Sequence, residues 1–197
     1  MDTAVADALR LAAPDARIEP AAAVDMPTAY VDREHLLAVC RVLRDDPALQ
    51  FAFLADVLAA DYFPAEPRFE VVYHFASLGS AFVTAPSVPP APARRFRLKV
   101  RVPGADAIVP TVTSLYPTAN WLEREIFDLM GLRFEGHPDL RRILMAEDWV
   151  GHPLRKDYPV QIRKDTASWE PIQLSPEEFA QNVRAARTRA EKEAGKK

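Results

Sequence analysis

Cysteine is nearly absent. The single thiol of Cys40 excludes an internal disulfide and an iron-sulfur cluster, which needs about four ligands, mostly thiolates. One unpaired thiol suits a reducing compartment. Glycine is scarce as well: none of the six glycines lies two residues from another, so there is no Gly-x-Gly phosphate cradle, and no Gly-x-Ser-x-Gly nucleophile elbow occurs. Nucleotide binding and acyl chemistry both lose ground. No apolar run approaches the roughly 20 residues that span a bilayer, and Met1-Asp-Thr-Ala lacks a basic leader, so a soluble chain that meets a membrane only through partners is expected. A basic excess is also missing: the net charge of -3 and a pI near 5.8 argue against nucleic acid as the main partner. What is present is 197 residues, 49% of them apolar, enough for one domain with a core of its own plus tails.

Val5, Leu9 and Ala12 recur at helical spacing before Pro14. Asp32 offers an N-cap to a second helix over residues 33–44, with Leu36, Val39, Cys40 and Leu43 on one stripe and Pro47 beyond. Cys40 on that stripe reads as a small buried hydrophobe. Strands are expected over residues 51–57, 69–75 and 96–102. The last alternates throughout. Phe96, Leu98, Val100 and Val102 face one way, while Arg95, Arg97, Lys99 and Arg101 face the other and read as a solvated face, with an acidic partner as the alternative. The proline-rich stretch 81–93 is placed at a hairpin tip, and residues 108–115 read as a further β-run. Ser175-Pro-Glu-Glu178 is a capping box opening a C-terminal helix. Helix, strands, then helix, without regular β-α-β alternation, indicate an α+β fold of two layers. Helices pack on a mixed or antiparallel sheet in a domain of residues 1–160, followed by an extended or helical tail over 161–197.

Residues 120–158 are the richest in chemistry. Asn120 and Glu123 suit a helix start and Gly131 a left-handed end, giving a helix of about 121–130. Leu122, Ile126, Leu129 and Met130 mark one face, and Arg124 can pair with Asp128 four residues on. Glu123 and Glu125 diverge by about 200° around the helix and cannot form a carboxylate dyad. Two Gly-His-Pro loops follow, at His137 and at His152, each trailed by Leu and basic residues. Their aromatic anchors Trp149 and Tyr158, set among charges, suit a protein interface; ion pairs holding the loops to their own domain explain the same pattern. A metal site from His137, His152, Asp139 and Asp148 is a further reading, but the spacing matches no standard zinc pattern.

Trp121-Leu-Glu-Arg-Glu-Ile-Phe-Asp-Leu-Met-Gly131, Phe134-Glu-Gly-His-Pro-Asp-Leu-Arg-Arg-Ile-Leu144 and Asp148-Trp-Val-Gly-His-Pro-Leu-Arg-Lys-Asp-Tyr158 together resemble the signature of the 30-kDa subunit family of complex I, the respiratory NADH:quinone oxidoreductase. The similarity extends over residues 30–160. Met130 stands where the family more often has an aromatic residue, Ala146 where proline is usual, and the loop 81–93 is longer than the common turn.

The resemblance implies a cofactor-free subunit of the peripheral arm, with no catalytic side chain, in a complex that uses FMN, iron-sulfur clusters, NADH and a quinone. It implies docking on the 49-kDa-type subunit, at the cytoplasmic side of a bacterial plasma membrane. In the tail 161–197, Trp169, Ile172, Leu174 and Phe179 are too thinly scattered to form a core, so the tail is expected to wrap over partners. The corresponding subunit of a membrane-bound hydrogenase, or of a ferredoxin- or F420-dependent relative, is the alternative. Expected interface positions are Trp121, Glu123, Arg124 and Asp128 on the helix and His137, Arg141, Arg142 and Trp149 after it. His152, Arg155, Lys156, Asp157 and Tyr158 complete the set.

Overall fold

A computed structural model describes residues 3–12, 14–79 and 93–159, and Gln181. Contacts divide the chain into two units, 1–158 and 159–197, and only the first is described at length. Apart from Gln181, which is helical, the expected tail helix from Ser175 lies outside the described residues.

The first unit is built on a five-stranded sheet in the order β1-β2-β5-β4-β3. Its strands are β1 (Ile18–Ala21), β2 (Thr28–Val31), β3 (Phe53–Asp61), β4 (Phe69–Ser77) and β5 (Arg94–Val102). All neighbours are antiparallel except β2 and β5, so the sheet is mixed. The alternation read in residues 96–102 sets the register. Phe96, Leu98 and Val100 pair with Phe75, Tyr73 and Val71, and all six side chains point into the core. Helices α1 (Thr3–Ala12) and α2 (Leu36–Asp45) cover that face, burying Val5 and Leu9, and Leu36, Val39, Cys40 and Leu43. Each buried Leu or Phe contributes about 1.5 to 3 kcal/mol of transfer free energy. Burial raises the Cys40 thiol pKa well above its ordinary value, which suits the role of a small hydrophobe.

Three details depart from the sequence reading. Asp32 caps a 3-10 turn (Arg33–His35) through its backbone carbonyl, which accepts the His35 N–H at 3.1 Å, and makes no side-chain cap. The β-run over 108–115 contracts to β6 (Ile108–Pro110), because Leu115 and Tyr116 both donate backwards to the Val112 carbonyl and close a turn. The basic row is not simply solvated: Arg97 pairs with Asp25, Lys99 with Glu70 at 2.8 Å, and Arg101 stacks on Tyr30 at 3.8 Å. Asp25, Tyr30 and Glu70, distant in sequence, supply those partners.

β4 and β5 remain paired as far as Ser77 and Arg94, and the proline-rich stretch expected at a hairpin tip lies, through residue 92, outside the described residues. Helix α3 (Ala119–Met130) packs beside β3, and the short parallel pair of β6 with β7 (Arg133–Glu135) brackets it. Among the described residues no helix is long and apolar enough to cross a membrane.

Candidate functional site

The site is organised around α3, which starts at Ala119, two residues earlier than the sequence suggests. Glu123 does not serve the helix start. Its carboxylate is fully buried and accepts the Thr111 hydroxyl at 2.5 Å and the Val112 N–H at 2.8 Å, tying α3 to the turn after β6. Burial dominates its titration and pushes the pKa up to about 7, against the lowering effect of those two donors. The His137 imidazole lies 3.9 Å from the same carboxylate. Its Nε2 donates to the Asn120 carbonyl at 3.2 Å and its Nδ1 accepts the Asp139 N–H at 3.0 Å, which fixes the Nε2–H tautomer.

The expected Arg124 to Asp128 pair does not form, because each finds partners in the loop that follows. Arg124 donates to the carbonyls of Arg141 and Arg142 at 3.1 and 3.4 Å, with its guanidinium 5.2 Å from the Trp121 ring. Asp128 has no solvent exposure. One carboxylate oxygen accepts the N–H groups of Ile143, Leu144 and Met145 at 3.0, 2.7 and 2.8 Å, and the other accepts Arg142 at 2.7 Å. Burial alone would raise its pKa, but the three amides and Arg142 outweigh that and hold it below the usual carboxylate range. One carboxylate thus shapes a whole loop.

The second Gly-His-Pro loop closes the far end of α3. A helix leaves its last carbonyls without internal partners. Gly131 (φ 74°) donates to the Phe127 carbonyl, His152 Nδ1 donates to the Asp128 carbonyl at 2.9 Å, and the Leu154 N–H donates to Leu129 at 3.0 Å. Arg155 Nε donates to Met130 at 2.6 Å and completes the cap. Gly131 is required twice over: its backbone is left-handed, and a Cβ there would lie 2.5 Å from both His152 and Arg155. Arg142 also donates to the Gly151 carbonyl at 3.0 Å, and Tyr158 lies over Gly151 with its hydroxyl donating to Val150 at 3.3 Å.

Asp157 makes a two-bond ion pair with Arg68 at 2.7 and 2.9 Å, and Arg68 in turn grips the buried Asp61. Asp61 also accepts the Lys156 N–H at 2.9 Å. The Arg68 guanidinium, opposed by burial, holds the Asp61 carboxyl well below the usual range. This network has no signal in the sequence; its members lie 7 and 89 residues apart, with no periodicity to link them.

Two classes of expected site residue therefore emerge. Glu123, Arg124, Asp128, His137, Arg142, His152, Arg155 and Asp157 direct their polar groups into the unit. Trp121 is 66% exposed, the Arg141 side chain pairs with Asp139, Lys156 is exposed, and Trp149 and Tyr158 are half-buried. Leu144, Val150 and Leu154, which are not among the interface positions expected from sequence, are exposed beside them. His137 and His152 bond to residues at opposite ends of α3, about 12 Å apart along its axis, so they do not share a site. Among the described residues no group of three or more His, Cys, Asp or Glu side chains is placed to hold a metal ion.

Residues 29–164 match the family profile described as respiratory-chain NADH dehydrogenase, 30 Kd subunit. The NADH-quinone oxidoreductase C subunit of Geobacter sulfurreducens is 49% identical over 135 residues, covering 68% of this chain and 75% of that protein. The protein of the same name from a Roseiflexus species is 46% identical over 156 residues, 79% of this chain and 83% of its own. The solved trypsin-resistant fragment of Nqo5 is 35% identical with a TM-score of 0.51, covering 70% of this chain and 98% of the fragment. A chain of the archaeal membrane-bound sulfane sulfur reductase shares the fold at 22% identity and a TM-score of 0.62, over 80% of this chain and 85% of its own. The matched span contains the whole of α3 and both loops that close on it, and by that span and those identities the chain belongs to the 30-kDa subunit family of the respiratory-chain NADH dehydrogenase, the NADH-quinone oxidoreductase.

Proposed function

We propose that this chain is a non-catalytic structural subunit of the peripheral arm of a proton-pumping NADH:quinone oxidoreductase, and that it docks on the 49-kDa-type subunit. One observation supports the reading most: α3 and its loops direct their buried charges at helix ends and loop amides, while Trp121, Leu144, Val150 and Leu154 are turned to solvent. Such a segment is a shaped surface with apolar anchors, the kind of patch that carries binding energy at an interface. A reaction centre would need several polar groups converging on one reacting atom, whereas the buried charges of this segment are engaged by helix ends and loop amides. In this reading Trp121, Trp149, Arg141, Lys156 and Tyr158 meet the partner, whereas Glu123, Arg124, Asp128, His137, Arg142, His152, Arg155 and Asp157 act indirectly by holding the surface in shape. The chain binds no cofactor of its own, and the FMN, iron-sulfur clusters, NADH and quinone belong to other parts of the complex. The complex sits at the cytoplasmic side of the bacterial plasma membrane, and the tail 161–197 extends onto neighbouring subunits.

The names of the relatives favour the quinone-linked assembly over a hydrogenase-type or ferredoxin-linked one. The test is to purify the native complex through a tag on this chain. The 49-kDa-type subunit is expected among the companions, and their spectra should carry all the flavin and iron-sulfur absorbance. Recovery of the chain alone, or of visible chromophore bound to the isolated chain, contradicts the reading.

A further inference from the structure

The sheet has two edge strands, β1 and β3, and the β3 edge carries no further strand among the described residues. β3 is a terminal strand and, among the described residues, its only strand partner is β4; near its start the Leu54 carbonyl accepts the Thr118 hydroxyl at 3.3 Å. The Tyr62 N–H donates to the Arg68 carbonyl at 2.7 Å, which fixes the alternation of the antiparallel ladder. Leu58 and Ala60 therefore direct their main-chain groups at β4, and Val57 and Ala59 present their N–H and C=O groups outward. Open edges are usually protected by a charge, a proline or a covering segment. Val57-Leu-Ala-Ala60 has neither charge nor proline, and Leu58 is 49% exposed.

Beside this edge runs a groove of about 300 Å³ between β3 and α3, floored by Ile126, Leu129 and Met130 and walled by the exposed Leu154. Its charges are of one sign. Asp56 lies on the strand side and Glu125 on the helix side, and the Glu125 carboxylate has no ion pair or hydrogen bond among the described residues. An apolar trough beside unpaired strand amides, with carboxylates at its rim, suits an extended cationic segment. Pairing of β3 with β3 of a second copy would bring Asp56 and Glu125 of both copies to one seam, with no cation lining the groove to offset them.

We propose that the edge of β3 and its groove bind an extended segment of a partner polypeptide as a sixth strand, one carrying alternating apolar side chains and a Lys or Arg opposite Glu125. Its main-chain groups pair with Val57 and Ala59, its apolar side chains rest on Leu129 and Leu154, and its cation reaches Glu125. The inference deepens the assembly reading by naming how a neighbouring subunit is held, and it rests on that reading for the identity of the complex.

The experiment compares amide hydrogen exchange in the tagged native assembly and in the isolated full-length chain. Val57 and Ala59 should exchange slower by on the order of 100-fold in the assembly, with the β4 and β5 amides slow in both. Carbodiimide treatment of the assembly should join Glu125 or Asp56 to a lysine of another polypeptide. Ala59→Pro removes an outward N–H, a change an edge strand tolerates, and should lower recovery of the assembly about tenfold. Glu125→Lys, on an exposed side chain, should do the same without altering the thermal unfolding of the isolated chain, and covers the case in which the proline variant fails to fold. Companions that co-purify while Val57 and Ala59 exchange at the free-chain rate overturn the strand addition and leave the assembly reading intact. Cross-links only between copies of this chain overturn the heterologous partner, and recovery of the chain without companions overturns the assembly reading itself.

Discussion

The sheet with α1 and α2 and the segment formed by α3 with its loops are stabilised by different physics. In the sheet, Phe69, Val71, Tyr73 and Phe75 interlock with Phe96, Leu98 and Val100, and the loss of one contact is shared among many neighbours. Around α3 the fold depends on a few buried charges, each satisfying several partners. Asp128 alone holds three loop amides and an arginine. The first arrangement tolerates hydrophobic exchange. The second tolerates almost no change at its centre, and its stability is linked to pH through the buried Glu123 and Asp128.

The largest effect is expected at Asp128. Asp128→Ala leaves Arg142 and three amides unpaired in a buried setting and should destabilise the isolated chain by about 3 to 5 kcal/mol in denaturant unfolding. A volume-conserving Leu98→Met in the sheet should cost less than about 1.5 kcal/mol. Equal losses would erase the contrast between the two regions.

Next is the pH dependence from Glu123. Its folded pKa, about 7, lies above the ordinary carboxyl value of 4.5. Its protonated form therefore stabilises the fold fully below about pH 4.5, and that contribution is lost as pH rises towards 7. Over this window the wild type should lose on the order of 3 kcal/mol relative to Glu123→Gln, read as the difference between the two stability curves. Asp61 and Asp128, with lowered values, contribute in the opposite sense, retaining their stabilisation until the solution is far more acid. Parallel curves for wild type and Glu123→Gln would show that the buried carboxyl does not titrate in this range.

Smaller again is Gly131→Ala, which puts a Cβ on a left-handed residue and against His152 and Arg155. A loss of about 1 to 3 kcal/mol is expected, together with faster exchange of the Leu154 amide, which caps the helix. The smallest belongs to Arg141, whose side chain is 70% exposed and pairs only with Asp139. Arg141→Ala should change the stability of the isolated chain by about 0 to 1 kcal/mol, so a larger loss in assembly would locate its role at the partner.

How much of this was legible depends on the range of the interaction. α2 and its stripe, the alternation of β5, and the glycine that ends α3 follow from local periodicity and backbone preference, and the structure shows each of them. Glu123 reads as part of the helix start, Arg124 and Asp128 as a pair four residues apart, and all three as interface positions, because their sequence neighbours offer nothing to bury them. Their burial is licensed by Thr111 upstream and by amides 15 to 17 residues downstream, contacts that no window of the sequence contains. The same holds for Arg97, neutralised by Asp25, and for Asp157, which reaches Arg68. The two Gly-His-Pro loops were recognisable as shaped, but that the second is the C-terminal cap of α3 emerges only when Gly131 and Arg155 are seen together.

The central claim, that the α3 segment is a docking surface and not a reaction centre, is tested most directly at Trp121, whose ring is exposed while Arg124 supports it from behind. The measurement is the quantity of tagged native complex recovered with Trp121→Ala, together with its quinone reductase rate per assembled complex. The account predicts a reduced yield of complex with an unchanged rate for each complex that forms. Normal yield with abolished turnover would contradict it and place the segment in the catalytic path.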